Sequence, residues 1–225
     1  MKYKAVFDSD YNVSQFIKQF WQKKYPDFGK SYEARLSNKF PPETVNAFIN
    51  AKSEVEVISI YREHLVKNRI VELGPIIAAG VEKILNEKSN FITSRLEEVY
   101  GKKVPFKSVE VRITYSLGNP FNPGRKVWHS TSYTFSPEKH IMASLHELNH
   151  VMFYRLEYKQ VKKKYKINEK WIGLIKEGLT YLSDPEAHDD RPQVEYFREF
   201  MLSQRGKPIE EIIDTTIKQG IGKDL

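Results

Sequence analysis

His146-Glu147-Leu148-Asn149-His150 sets two imidazoles and a carboxylate into little more than one helical turn. Residues four apart on an α-helix point the same way with Cβ atoms about 5–6 Å apart, so both rings can reach one metal ion. Glu147 follows the first histidine by about 100° of helical rotation. From there its carboxylate can face a metal-bound water without ligating the metal. Zinc brings the pKa of such a water towards about 7, and a neighbouring carboxylate can take its proton as it attacks a carbonyl. A catalytic zinc normally has three protein ligands and one open position, so a third donor is required.

The surroundings of the pentapeptide read as helix. Ile141, Met142, Leu145, Leu148, Val151 and Met152 recur at helical spacing, which makes the segment amphipathic. Ser136-Pro137-Glu138 supplies its start, with a serine N-cap and proline at the first helical position. Polar groups on a helix that packs inward cost several kcal/mol unless they are paired or metallated.

The best candidate for the third donor lies in Lys176-Glu177-Gly178-Leu179-Thr180-Tyr181-Leu182, where a carboxylate enters a second apolar-patterned segment beyond a lysine-rich connection. Here the chain resembles the gluzincins, the HExxH zinc metallopeptidases related to thermolysin and the aminopeptidases, over His146 to about Asp184. The resemblance implies Zn2+ held by His146, His150 and Glu177, with Glu147 as general base. The metzincin pattern needs a glycine and a third histidine soon after the second, and Val151-Met152-Phe153-Tyr154-Arg155-Leu156 supplies neither. A peptide deformylase needs a cysteine ligand, and the chain has no cysteine. Glu177, Tyr181 and Asp184 fall on one helical face. Tyr181 is therefore a candidate donor to a developing oxyanion. Asp184 is a candidate to orient a ligand histidine, or else it closes the helix before Pro185. His188 is a rival third ligand or transition-state donor. His140, a turn and a half before His146, falls off the metal face, and His64 reads as an ordinary histidine of a helical region.

Upstream the period changes from helical to alternating. Val109, Val111, Ile113 and Tyr115 alternate with Glu110, Arg112 and Thr114, and a second alternating strand covers roughly Val127 to Phe135. The turn-rich Gly118-Asn119-Pro120-Phe121-Asn122-Pro123-Gly124 separates them. In the gluzincins an edge strand preceding the zinc helix pairs with extended substrate backbone. By that resemblance Trp128, His129, Ser130, Thr131, Ser132 and Tyr133 form the substrate-binding strand, with His129 a candidate to polarise a substrate oxygen. The rival reading makes this strand simply half of a small sheet.

From about Tyr11 to Tyr100 nearly everything reads as helix. Segments are expected from Asn12-Val13-Ser14 onward, from Pro41-Pro42 through His64, from Ile70 to Glu87 with an interruption near Gly74-Pro75, and from Ser89 to Tyr100. Two more helices are expected at Pro192–Gln204 and Pro208–Lys218. The expected fold is α+β and mainly helical, with a small antiparallel-containing sheet packed beside the HExxH helix and the glutamate helix that follows. A helical lobe over residues 1–104 would precede a zincin-like catalytic core over 105–225, the two forming separate lobes or one compact domain.

The whole chain has 225 residues, 40% of them hydrophobic and 29% charged, enough for one large domain or two small lobes. Without cysteine, only histidine and carboxylate remain as strong metal ligands. No apolar run approaches the eighteen or so residues of a membrane span, and the charged start Met1-Lys2-Tyr3-Lys4 lacks a secretory signal, so a cytoplasmic location is expected. The net charge of +7 is concentrated in Lys159-Gln160-Val161-Lys162-Lys163-Lys164-Tyr165-Lys166. That run reads as a solvated helix end favoured by the helix dipole, which makes a nucleic-acid partner the weaker expectation. No Gly-rich phosphate loop or nucleophile elbow offers a rival chemistry. The expected function is zinc-dependent cleavage of a peptide or protein substrate. The alternative is a zinc-bound, inactive scaffold that binds a peptide or protein partner.

Overall fold

The computed structural model describes residues 1–22, 32–187 and 192–223. Strand β1 (Lys2–Phe7) leads into helices α1 (Ser9–Phe20), α2 (Tyr32–Ser37), α3 (Pro42–Asn50), α4 (Glu54–Lys67), α5 (Ile70–Glu87) and α6 (Ser89–Tyr100). Strands β2 (Ser108–Thr114), β3 (Phe121–Asn122) and β4 (Trp128–Ser132) follow. The chain then continues through α7 (Pro137–Leu156), α8 (Tyr158–Tyr165), α9 (Glu169–Ser183), α10 (Pro192–Ser203) and α11 (Ile209–Lys218). The fold is α+β and mainly helical. No helix among the described residues is long and apolar enough to cross a membrane.

The sheet runs β1-β2-β4-β3, with the first two pairings parallel and β3 antiparallel to β4. Partnered residues share a face, so Tyr3, Val109, Val111, Ile113, His129, Thr131 and Phe121 all project to one side. That side carries the main core, in which Val109, Val111 and Ile113 are buried with Leu145, Leu148 and Val151 of α7. The opposite face carries Trp128 and Ser130. There the Arg112 guanidinium stacks on the rings of Tyr11, at 4.5 Å, and Trp128, at 4.3 Å, and the Tyr11 hydroxyl lies 3.0 Å from Ser130 Oγ.

Strand β1 adds a strand to the span expected as a helical lobe, ahead of the helices read from about Tyr11. Lys2 and Lys4 are exposed while Tyr3 is fully buried, which is the alternation of a half-buried strand. Its outer edge is capped by α5: Asn86 accepts from Tyr3 N–H at 3.0 Å and donates to Tyr3 O at 3.0 Å, and Glu82 accepts from Ala5 N–H at 2.9 Å. Side chains thereby satisfy backbone groups that would otherwise template further strand pairing.

Three more boundaries differ from expectation. The segment from Pro42 to His64 is two helices, because Ser53 caps α4 by accepting from Glu56 N–H at 3.2 Å while the Glu56 carboxylate reaches back to Lys52 N–H. Helix α5 runs unbroken through Pro75. Gly74 serves packing there, since a Cβ at that position would sit 2.4 Å from Cγ of the Phe7 ring. The lysine run forms its own helix, α8, in which Lys162 pairs with Glu169 and Lys164 with Asp214.

A boundary at residue 104 does not follow the packing. Ala78, Val81, Leu85, Ile92, Leu96 and Tyr100 of α5 and α6 belong to the same core as α7, α9 and α11. The separate cluster is smaller and aromatic, built on Phe16, Phe40, Phe48 and Tyr61 of the first helices and their loops. Phe16 stacks on Tyr61 with ring centroids 4.3 Å apart.

Candidate metal centre

Two helices bring the motif residues together. Ser136 caps α7 by accepting from Lys139 N–H at 3.3 Å, with Pro137 opening the helix as expected. Asn168 caps α9 in the same way, accepting from Trp171 N–H at 2.8 Å. The two helices are joined by Asn149, the fourth residue of the pentapeptide, which is fully buried. Its Nδ2 donates to Leu179 O at 3.3 Å and to Ser183 Oγ at 3.0 Å, while the Tyr100 hydroxyl of α6 donates to Asn149 Oδ1 at 2.9 Å. This clamp sets the opposing turns of α7 and α9 face to face.

Across that contact His146 Nε2 lies 3.7 Å from Glu177 Oε2, and His150 Nε2 lies 3.4 Å from Glu177 Oε1. One ligand atom from each residue falls within 4.8 Å of the others. Nitrogen and oxygen donors at about 2.0–2.1 Å from a tetrahedral zinc stand roughly 3.4 Å apart. The two histidine–carboxylate separations, one to each oxygen of Glu177, come close to that value, and the all-N/O donor set is one that zinc accepts. His150 is buried and His146 one-third exposed, so the cluster opens to solvent on the His146 side. Glu147 is buried, 8% exposed, on the turn between the two histidines.

Burial, reinforced by the Lys176 charge, pushes the His150 pKa down to about 3. The imidazole is thus held in the neutral form that ligates metals. Burial favours protonation of Glu177, yet His150, Lys176 and His146 outweigh it and keep that carboxyl well below the usual range. His129 is fully buried and its pKa falls to about 4, with burial the cause. An imidazole depressed in the folded state stays neutral while its unfolded counterpart takes up a proton below about pH 6.5, so its stability contribution is full above that pH and is lost as pH falls towards 4. His129 is expected to cost about 2 kcal/mol at pH 5 relative to pH 7.5. Urea unfolding of wild type and His129→Leu at both pH values checks this: the fall should be smaller in the variant by that amount, and equal falls would contradict it.

Several residues singled out in the sequence lie elsewhere. Tyr181 is 1% exposed and its hydroxyl donates to Glu195 Oε2 of α10 at 2.9 Å, so it serves packing between α9 and α10. Asp184 is the C-cap of α9 and accepts, through its backbone oxygen, from Ala187 N–H at 3.1 Å. Burial raises its carboxyl pKa. It closes the helix, the second of its two readings. His188 lies outside the described residues. His140 is turned to Thr131, with Nδ1 3.0 Å from Thr131 Oγ1, and His64 sits between Phe40 and Tyr115.

Strand β4 is not an edge. It pairs with β2 along Trp128–Ser132 and with β3 at Trp128 and His129. His129, Ser130, Thr131 and Ser132 are buried, and Trp128 and Ser130 face away from α7. Tyr133 follows the strand, and its N–H donates to Thr114 O at 2.7 Å. The sheet edge beside the candidate metal centre is β3, because the chain returns antiparallel after Pro120. The Phe121 ring lies 5.2 Å from that of His150.

Three contributors were missed in the sequence: Phe121, Asn149 and Lys176. Lys176 is buried, 9% exposed, and its Nζ donates to Glu177 Oε1 at 2.7 Å while lying 5.1 Å from the centre of the Phe121 ring. Gly178 also has a local reason, since a Cβ there would meet Phe197 Cβ at 2.9 Å. Gly178→Ala is expected to cost about 1–3 kcal/mol through overpacking of α9 on α10. A thermal melt reads this directly, and an unchanged midpoint would show that the contact yields.

No family model matches the chain, and no solved structure matches it significantly. A stretch of 92 residues is 30% identical to the bifunctional shikimate kinase/3-dehydroquinate synthase of Thermotoga maritima, covering 40% of this chain and 17% of that protein. The chain therefore matches less than a fifth of the length of this curated relative.

Proposed function

We propose that the protein is a zinc-dependent hydrolase of the gluzincin type that cleaves peptide bonds. The observation that carries this reading is the convergence of His146, His150 and Glu177 from two clamped helices, 3.4 and 3.7 Å between donors, with Glu147 on the intervening turn. Zinc, when bound, supplies a Lewis acid that makes water a nucleophile near neutral pH. His146, His150 and Glu177 hold it, and Glu147 takes the proton of the attacking water and returns it to the leaving amine.

The edge strand β3 aligns the substrate. Ser130 N–H donates to Pro120 O at 2.8 Å, so strand alternation turns the Phe121 N–H and C=O outward, where an extended peptide can pair with them. The ion pairs along α8 balance part of the basic run, and the reading needs neither a nucleic acid nor a membrane. A cytoplasmic location goes with it.

Incubation with a quenched fluorescent peptide library, with zinc and with excess chelator, tests the proposal. Cleavage that needs zinc and stops with chelator is expected. Stoichiometric zinc uptake without cleavage would contradict it in favour of a peptide-binding scaffold.

A further inference from the structure

We infer that Lys176 is the catalytic residue that stabilises the oxyanion, donating to the oxygen that gains charge at the scissile carbonyl. The inference rests on the zinc-peptidase reading and adds the group that reading lacks, since the Tyr181 hydroxyl is committed to Glu195.

The Lys176 ammonium is buried and, among the described residues, has a hydrogen bond to one acceptor, Glu177 Oε1 at 2.7 Å. An ammonium has three donors, so two remain for a ligand. Its place is fixed on both sides. It stands 5.1 Å from the centre of the Phe121 ring on the edge strand, and it shares Glu177 Oε1 with His150 Nε2, which is 3.4 Å from that oxygen. The charge therefore lies between the strand that would align the substrate and the donors that would hold the metal. A peptide's terminal carboxylate would be separated from the reacting carbon by a further residue, about 3.8 Å of chain. A group one hydrogen bond from a ligand oxygen suits the reacting carbonyl itself. Buried as it is, such a fixed charge acts strongly on developing charge.

The step balances without a redox partner. A water oxygen bonds to the carbonyl carbon, its proton passes to Glu147, and the π pair of the C=O bond moves onto oxygen. Lys176 keeps its proton and donates a hydrogen bond to that oxygen. The pair on oxygen then re-forms C=O as the C–N bond breaks, and the C–N pair leaves with the amine nitrogen, which takes the proton from Glu147.

The test compares wild type, Lys176→Met and Lys176→Arg by metal content, by turnover of the quenched peptide library, and by titration of the Co2+-loaded proteins with methylphosphonate, a tetrahedral anion, followed through the cobalt absorption. Lys176→Met is expected to retain one equivalent of metal, to lose about 10²–10³-fold in turnover at saturating peptide, and to bind methylphosphonate at least tenfold more weakly. Lys176→Arg should recover part of the anion affinity. Should the methionine variant fail to fold, Lys176→Gln is read in the same way. Loss of metal in Lys176→Met would overturn the inference by making the lysine a support for Glu177, and so would unchanged turnover and anion binding, or a change in KM alone. Wild type that takes up no zinc would instead overturn the underlying reading.

Discussion

Glu147→Gln is expected to lower turnover of the quenched peptide library by about 10²–10⁴-fold while leaving zinc bound at one equivalent. The amide has nearly the same shape and volume as the carboxylate but cannot accept the proton of the attacking water, and a positioned general base contributes about 10²–10⁴-fold. Because the proposed donors are His146, His150 and Glu177, the metal should not respond to this change. Steady-state kinetics beside elemental analysis read both halves of the expectation. Retained activity would remove Glu147 from its role, and lost zinc would make it a ligand.

The second large effect is expected at Asn149→Ala, which should lower stability by about 3 kcal/mol and weaken zinc binding, although Asn149 is not among the donors. The side chain is fully buried and joins three helices: it donates to Leu179 O and Ser183 Oγ and accepts from the Tyr100 hydroxyl. Truncation leaves buried polar groups without their partners and opens a cavity, each a recognised source of large loss. Helix α9 then loses its register against α7, and with it the distance from Glu177 to the histidines. Urea unfolding and a competitive zinc titration with a chromogenic chelator check the two parts. A folded Asn149→Ala protein with wild-type zinc affinity would show that apolar packing alone sets the helix pair.

What could be read in the sequence was local. The Ser136-Pro137 start, the apolar spacing around His146 and the alternation of β2 each express the geometry of one element, and each recurs in the structure. Glu177 could be placed on a following helix because it shares an apolar-patterned segment with Leu179 and Leu182. Strand β1 was hidden because its partner β2 lies a hundred residues downstream, and the alternation of Lys2 and Lys4 around Tyr3 is too short to stand out against a charged chain start. Sheet order was equally non-local. Nothing within Trp128–Ser132 says that Phe121–Asn122 turns back to cover its flank, so the sequence leaves the edge open and the pairing puts it at β3.

Helical periodicity places Tyr181 one turn after Glu177 but cannot say what its hydroxyl meets, which is Glu195 of α10. Lys176 escaped notice for the converse reason. It lies a third of a turn from Glu177, and its long stem brings the ammonium back beside that carboxylate. Asn149 occupies a position that the HExxH pattern leaves open, so the residue that holds the two helices together looked like filler.

Metal content of purified wild type beside Glu177→Ala, measured by elemental analysis after dialysis against trace zinc, bears most directly on the shared ion. The account predicts about one zinc per wild-type chain and a large loss in the variant, with both proteins folded by circular dichroism. A wild type free of zinc, or a Glu177→Ala protein that keeps its full equivalent, would contradict it.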